Sequence, residues 1–174
     1  MKAPSVWSLQ EVQAWFVGRL PDEWFAEVPA VSADREEILV VGRLVEPGPV
    51  DDEAHRPVMW RARIAGFRED TREQRMGIAD EAETLWGRKV SWGAACGDTV
   101  ERFTTQSVPV MTRLRMDERA VLDTLIDAGV ARSRSEALAW CVRLVGQHQG
   151  EWIDQLREAM AHVEQVRAEG PDRA

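Results

Sequence analysis

Between residues 108 and 145 the spacing of apolar residues changes once, and that change marks out the chain's clearest module. Val110, Thr112, Leu114 and Met116 alternate with Met111, Arg113 and Arg115, which is the period of an extended strand with two different faces. Beyond Asp117, a good helix N-cap, the apolar positions Val121, Leu122, Leu125 and Ile126 follow a helical period. Gly129 suits a left-handed C-terminal turn. Ser133, with Glu136 three residues on, predicts a capping box for a second helix whose apolar face is Ala137, Leu138, Cys141, Leu144 and Val145.

Upstream, Ser8 caps a helix over Leu9 to Arg19 with Val12, Trp15 and Phe16 on one face, and Pro21 ends it. Trp24 to Val31 and Glu37 to Val45 predict a β-hairpin turning at Ser32-Ala33-Asp34. Pro47 to Glu53, with its prolines and consecutive acids, is a surface connection. Val58 to Trp86 predicts one long helix with Ile64, Phe67, Thr71, Ile78, Ala82 and Leu85 in a single stripe. Its other faces carry Arg61, Arg68, Arg72 and Arg75 among Glu69, Glu73, Glu81 and Glu83, at spacings that allow ion pairs. Arg88 to Cys96 and Thr99 to Thr105 form a second hairpin across Gly97-Asp98. After a break at Gly146–Gly150, Trp152, Ile153, Leu156, Met160, Val163 and Val166 mark an amphipathic helix to about Ala168, and Gly170-Pro171 ends order. The expected fold class is α+β in three parts. They are an α+β domain over 1–106 with an antiparallel sheet covered by helices on one side, a module over 107–146, and a C-terminal amphipathic helix and tail over 147–174.

A single strand followed by two short helices cannot enclose a core, and its strand edge is unpaired. A symmetric dimer solves both problems: two strands pair antiparallel and four helices cover the inner face. The segment resembles the ribbon-helix-helix family of DNA-binding proteins, which includes the Arc and methionine repressors. Arg132-Ser-Arg-Ser-Glu-Ala137 is its most family-like run. The resemblance implies a β-ribbon in the DNA major groove, with Met111, Arg113 and Arg115 reading bases. It implies a phosphate held at the start of the second helix by Ser133, Arg134 and Ser135. It also implies a dimer core of Val110, Thr112, Leu114, Met116, Leu122, Leu125, Leu138 and Cys141. Two features depart from the common pattern: a large domain precedes the strand, and Asp117 rather than proline stands before the first helix.

The net charge of −8 bears on that reading. Residues 1–107 carry −6, residues 108–145 carry +1 and residues 146–174 carry −3, so the one segment that is not acidic is the repressor-like one. Binding at particular sites fits this balance better than loose coating of DNA. Arg61, Arg63, Arg68, Arg72 and Arg75 with Trp60 are a second candidate nucleic-acid face, but acids interleave them and a mixed-charge helix surface is the simpler account. Trp86 and Trp92, flanking Arg88 and Lys89, read as core.

No enzyme motif appears. His55, His148 and His162 lack metal-ligand spacing, and no phosphate-binding glycine loop or Gly-x-Ser-x-Gly elbow is present. Cys96 and Cys141 sit far apart and read as a free pair of thiols in a reducing compartment. No cofactor, metal or membrane contact is expected. The start carries no leader-like apolar run, which predicts a cytoplasmic protein, nucleoid-associated if it binds DNA. The sequence thus predicts a homodimeric transcriptional regulator, a repressor, whose partners are double-stranded DNA and its own second copy. The alternative is an interaction protein that uses the module to dimerise. In that alternative the N-terminal domain binds another protein; an antitoxin-like form, which binds both DNA and a partner, would use the C-terminal helix over 147–168.

Overall fold

A computed structural model describes residues 8–48 and 53–169, apart from the side chains of Glu164, Ala168 and Glu169. The acids Asp51 and Asp52 and the tail beyond Glu169 lie outside the described residues. The chain is α+β and divides into two compact units, residues 1–109 and residues 110–174. The second unit contains the last helix, which the sequence set apart as a segment from 147.

The first unit begins with α1 (Leu9–Arg19), where Ser8 and Glu11 close the capping box. Strands β1 (Ala30–Ala33) and β2 (Glu37–Arg43) form the first hairpin. Asp34 makes the turn by accepting the N–H groups of Glu36 and Glu37, each at 2.8 Å, and these bonds hold its carboxyl below the usual carboxylate range. Most of the expected first strand is not strand. Trp24 instead leaves the sheet to fill the core, and only the Ala26 N–H, bonded to the Arg43 carbonyl at 2.8 Å, extends the pairing upstream. A 3-10 turn at Glu53–His55 leads into α2 (Arg56–Asp70) and α3 (Arg72–Trp86). Strands β3 (Lys89–Cys96) and β4 (Thr99–Arg102) complete the sheet. Gly97, at φ +53, turns between them under the Trp60 ring, which leaves no room for a Cβ.

The strand order β1-β2-β3-β4 corrects the expected antiparallel sheet. Both hairpins are antiparallel, but they join through β2 and β3 in parallel, with Ile38 opposite Val90 and Val40 opposite Trp92. Parallel neighbours need a crossover, and α2 with α3 supplies it. Hairpin signals are local, whereas the sense of the central pair depends on where the helices return the chain.

The long helix predicted over 58–86 is two helices, broken at Thr71. The Thr71 hydroxyl donates to the Phe67 carbonyl at 2.6 Å, a back-bond that bends helices. Arg75 then donates from Nε to the Thr71 hydroxyl at 2.9 Å. The buried face runs on through the break as Ile64, Thr71, Arg75, Ile78 and Ala82. Arg75, expected on the wet side, is 7% exposed, and Leu85, expected in the apolar stripe, is 55% exposed. Within these helices Arg68 lies 4.0 Å from Glu69, and the shorter pairs reach outside them, Arg19 to Glu81 at 2.6 Å and Lys89 to Glu83.

The main core gathers Val12, Phe16, Trp24, Ile38, Val40, Ile78, Ala82 and Trp92. A second cluster, Leu44, Ile64, Ala94 and Cys96, joins it through Phe25, Phe67 and Phe103. Phe16 meets Trp15 and Trp92 edge to face at 5.0 and 6.0 Å, and Trp86 packs on Trp15 at 5.1 Å, so the aromatic pair read as core is core. Phe16→Ala should therefore cost about 3–5 kcal/mol in urea unfolding. Leu85→Ala, at a side chain 55% exposed, should cost no more than about 0.5 kcal/mol; equal losses would contradict this division between core and surface.

Candidate nucleic-acid interface

In the second unit α4 (Met116–Asp127) starts two residues earlier than expected. Arg115, not Asp117, is the N-cap, and its N–H donates to Glu118 Oε2 at 2.6 Å. Asp117 moves into the first turn, where a carboxylate meets the positive end of the helix. Met116 is thus the first helical residue and 72% exposed, rather than the last residue of a strand.

Gly129, at φ +73, reverses the chain after α4, and the N–H groups of Val130 and Ala131 both bond the Leu125 carbonyl. Helix α5 (Arg134–His148) is capped by the Ser133 hydroxyl, which accepts from the Glu136 N–H at 3.2 Å. The reciprocal half of the box is displaced by one residue, since the Glu136 carboxylate accepts from the Arg132 N–H at 2.8 Å. Leu122, Ala131 and Ala137 are buried between the helices, with Leu114, Leu125, Ile126, Leu138 and Cys141 packed half-buried against them. Helix α6 (Gly150–Glu169) follows a one-residue break at Gln149.

Residues 103–115 form no strand, which corrects the expected extended element. Phe103 still donates its N–H to the Trp92 carbonyl of β3, but among the described residues no strand pairs with 108–115, and a strand is defined by such bonds. The side chains still sort. Leu114 turns in onto the helical cluster, while Met111, Arg113 and Arg115 are exposed, Met111 to 94%. Of the residues assigned to a dimer core, Leu122 is buried and Leu114, Leu125, Leu138 and Cys141 are half-buried. Val110, Thr112 and Met116 stand exposed in the single chain. Arg119 Nη1 donates to the Leu114 carbonyl at 2.7 Å and fixes the end of the segment to α4, a role for which the residue pattern gives no sign.

Arg134, assigned to phosphate, is already engaged. Its Nε and Nη2 donate to the two carboxylate oxygens of Asp123 at 2.7 and 2.8 Å, a fork that ties α5 to α4. The Arg134 guanidinium holds the Asp123 carboxyl below its usual range. The pair stands eleven residues apart, so no helical spacing announced it. Ser133 and Ser135 are exposed at the start of α5, where the first-turn N–H groups of Arg134 and Ser135 have no acceptor among the described residues.

In the first unit, the second basic group does not act as one face. Trp60 Nε1 donates to Glu46, Arg61 and Arg63 are exposed on α2, and Arg68, Arg72 and Arg75 border a separate cleft. Among the described residues, no three His, Cys, Asp or Glu side chains are grouped to hold a metal ion. No described helix is long and apolar enough to cross a membrane. Burial raises the Cys96 thiol above its ordinary pKa.

Two family models match the chain. That of the Rv1265-like protein N-terminal domain covers residues 10–102, and that of the Mb1296 C-terminal domain covers residues 115–167. Neither is a ribbon-helix-helix family. Among similar proteins, Mb1296 of Mycobacterium bovis and Rv1265 of Mycobacterium tuberculosis are each 55% identical over 158 residues, spanning 91% of this chain and 69% of theirs. Their names state no activity. No solved structure matches.

The Asp123–Arg134 fork makes a pH prediction. A carboxyl whose pKa falls on folding stabilises the fold above its unfolded value, about 3.9, and loses that contribution as pH drops through the lowered one. Asp123→Asn should therefore lower the melting temperature of the second unit near neutrality. The gap from the parent should close in strong acid, and a gap constant with pH would remove the pair.

Proposed function

The chain belongs to the Rv1265-like protein family, and we propose that it is a homodimeric, site-specific DNA-binding protein, a transcriptional regulator working in the cytoplasm on the nucleoid. One observation carries this reading. A segment rich in exposed apolar residues, with Val110 84% and Met111 94% exposed, runs directly into a helix pair onto which only its alternate residue Leu114 folds.

Pairing this segment antiparallel with a second copy gives its backbone N–H and C=O groups partners and covers Val110 and Thr112. The same pairing aligns Met111, Arg113 and Arg115 of both chains on the outer side. A two-stranded ribbon fits the major groove, where arginine bonds guanine bidentately and Met111 offers a thymine methyl an apolar contact. The open N–H groups of Arg134 and Ser135, with the Ser133 and Ser135 hydroxyls, hold backbone phosphate and fix register. The Arg134 side chain serves by bracing this corner through Asp123.

A second reading has its own support. Helix α6 exposes Trp152, Leu156, Met160, Val163 and Val166, each at least 46%, spaced along one face. That surface suits a protein partner, as in an antitoxin-like molecule, with or without DNA.

The test is binding to genomic fragments across a salt series, with dimeric mass verified by sedimentation. Arg113→Ala should cost about 1–3 kcal/mol at one base position. The Arg113→Ala/Arg115→Ala double mutant should lose site selection while remaining dimeric. A dimer that never binds DNA would leave the partner-binding reading.

A further inference from the structure

In the first unit a cleft of about 380 Å³ opens beside the α2–α3 break. Its apolar side is made by Val90, Trp92, Phe103 and Met76. Three guanidinium groups border it, from Arg68, Arg72 and Arg75, against the single carboxylate of Glu69. Arg75 is the unusual member, being 93% buried by its 7% exposure. Its Nε donates to the Thr71 hydroxyl and its Nη2 to the Arg68 carbonyl, while Nη1 has no acceptor among the described residues. No described carboxylate lies within ion-pair distance of it, and the nearest pairing in the cleft, Arg68 to Glu69, is stretched to 4.0 Å.

Burial of a charged group without an opposite charge is unfavourable. Here the environment compounds the cost. Desolvation, and then the neighbouring charges of Arg68 and Arg72, lower the Arg75 pKa, with Glu69 opposing. The Phe103 ring, 4.9 Å from the Arg75 guanidinium and 5.8 Å from that of Arg68, offsets part of this through its π-face. A ring quadrupole does not neutralise a cation. The two neutral hydrogen bonds explain why Arg75 joins the helices, but not why an uncompensated positive cluster is kept next to an apolar wall.

We propose that this cleft binds a compact organic carboxylate, with the anionic group against the guanidinium cluster and an apolar body, aromatic or branched, against Val90, Trp92 and Phe103. The planar guanidinium fork matches a carboxylate. The volume lies at the small end of ligand pockets, and an apolar wall with a few convergent polar groups is their usual make-up. Glu69 on the rim disfavours ligands with several negative charges. The site belongs to the first unit alone, so the proposal stands apart from DNA binding. It would give that unit the role of sensing a small molecule.

Phenylacetate serves as the probe, titrated into the full chain by calorimetry and by tryptophan fluorescence, with phenylacetamide and inorganic phosphate in parallel. Saturable binding of phenylacetate with a change in tryptophan emission is expected, and no binding of the neutral amide. Arg72→Gln, at the exposed rim, should weaken binding by about tenfold or more, while Arg61→Gln, away from the cleft, should leave it unchanged. Arg72 avoids the folding role of Arg75, and retained melting temperature in both variants verifies that. Absence of saturable binding, equal binding of the amide, or an Arg72→Gln variant that binds like the parent overturns the proposal. Phosphate binding as tightly as phenylacetate overturns the carboxylate assignment.

Discussion

The parallel pairing of β2 with β3 governs the first unit. Seven residue pairs, from Glu37 opposite Lys89 to Arg43 opposite Ala95, run in one direction, so the chain must leave the end of β2 and return to the start of β3. Helices α2 and α3 make that return. Because they are broken at Thr71, Ile64 faces one core cluster and Ile78 with Ala82 the other, with Phe67 spanning both. The cleft lined by Arg68, Arg72 and Arg75 is a by-product of the same break. Arg75 stands at i+4 from Thr71 and i−3 from Ile78, so helical spacing puts its charge on the buried face.

What the residue pattern disclosed follows the range of the interactions involved. Helix α1, both hairpins, the Gly129 turn and the Ser133 cap depend on residues a few positions apart, and local spacing reveals them. The sense of the central strand pair and the Asp123–Arg134 fork depend on residues brought together by the fold, and no local period encodes them. The break at Thr71 is an intermediate case. Its cause is local, a β-branched hydroxyl bonding back to Phe67, but the apolar period runs through it unbroken and hides it. Of the alternation expected over 110–116 only Leu114 is turned inward; Val110, Thr112 and Met116 are exposed, as Met111, Arg113 and Arg115 are, because a single chain gives the expected inner face nothing to pack on.

The second unit differs from the first in what one chain can achieve. Among its described residues the buried apolar ones are Leu122, Ala131 and Ala137, while Met111, Met116, Val142, Trp152 and Met160 each remain more than half exposed. Roughly 25 cal/mol is gained per Å² of apolar surface removed from water, so leaving such side chains wet forgoes several kcal/mol that a partner surface recovers. A second copy is the simplest partner, because it presents the same unpaired segment and the same apolar stripe, and a two-fold axis satisfies both at once. The acidic total does not oppose a DNA role for that dimer. A net −8 weakens the long-range attraction to phosphate, and with it nonspecific binding. On the proposed reading, contacts by Arg113 and Arg115 at base edges would act at hydrogen-bond range, whereas long-range charge effects are screened within about 8–10 Å of salt solution. If the proposed ribbon reads DNA, its affinity would then rest on base contacts more than on net charge, the balance that binding at particular sites requires.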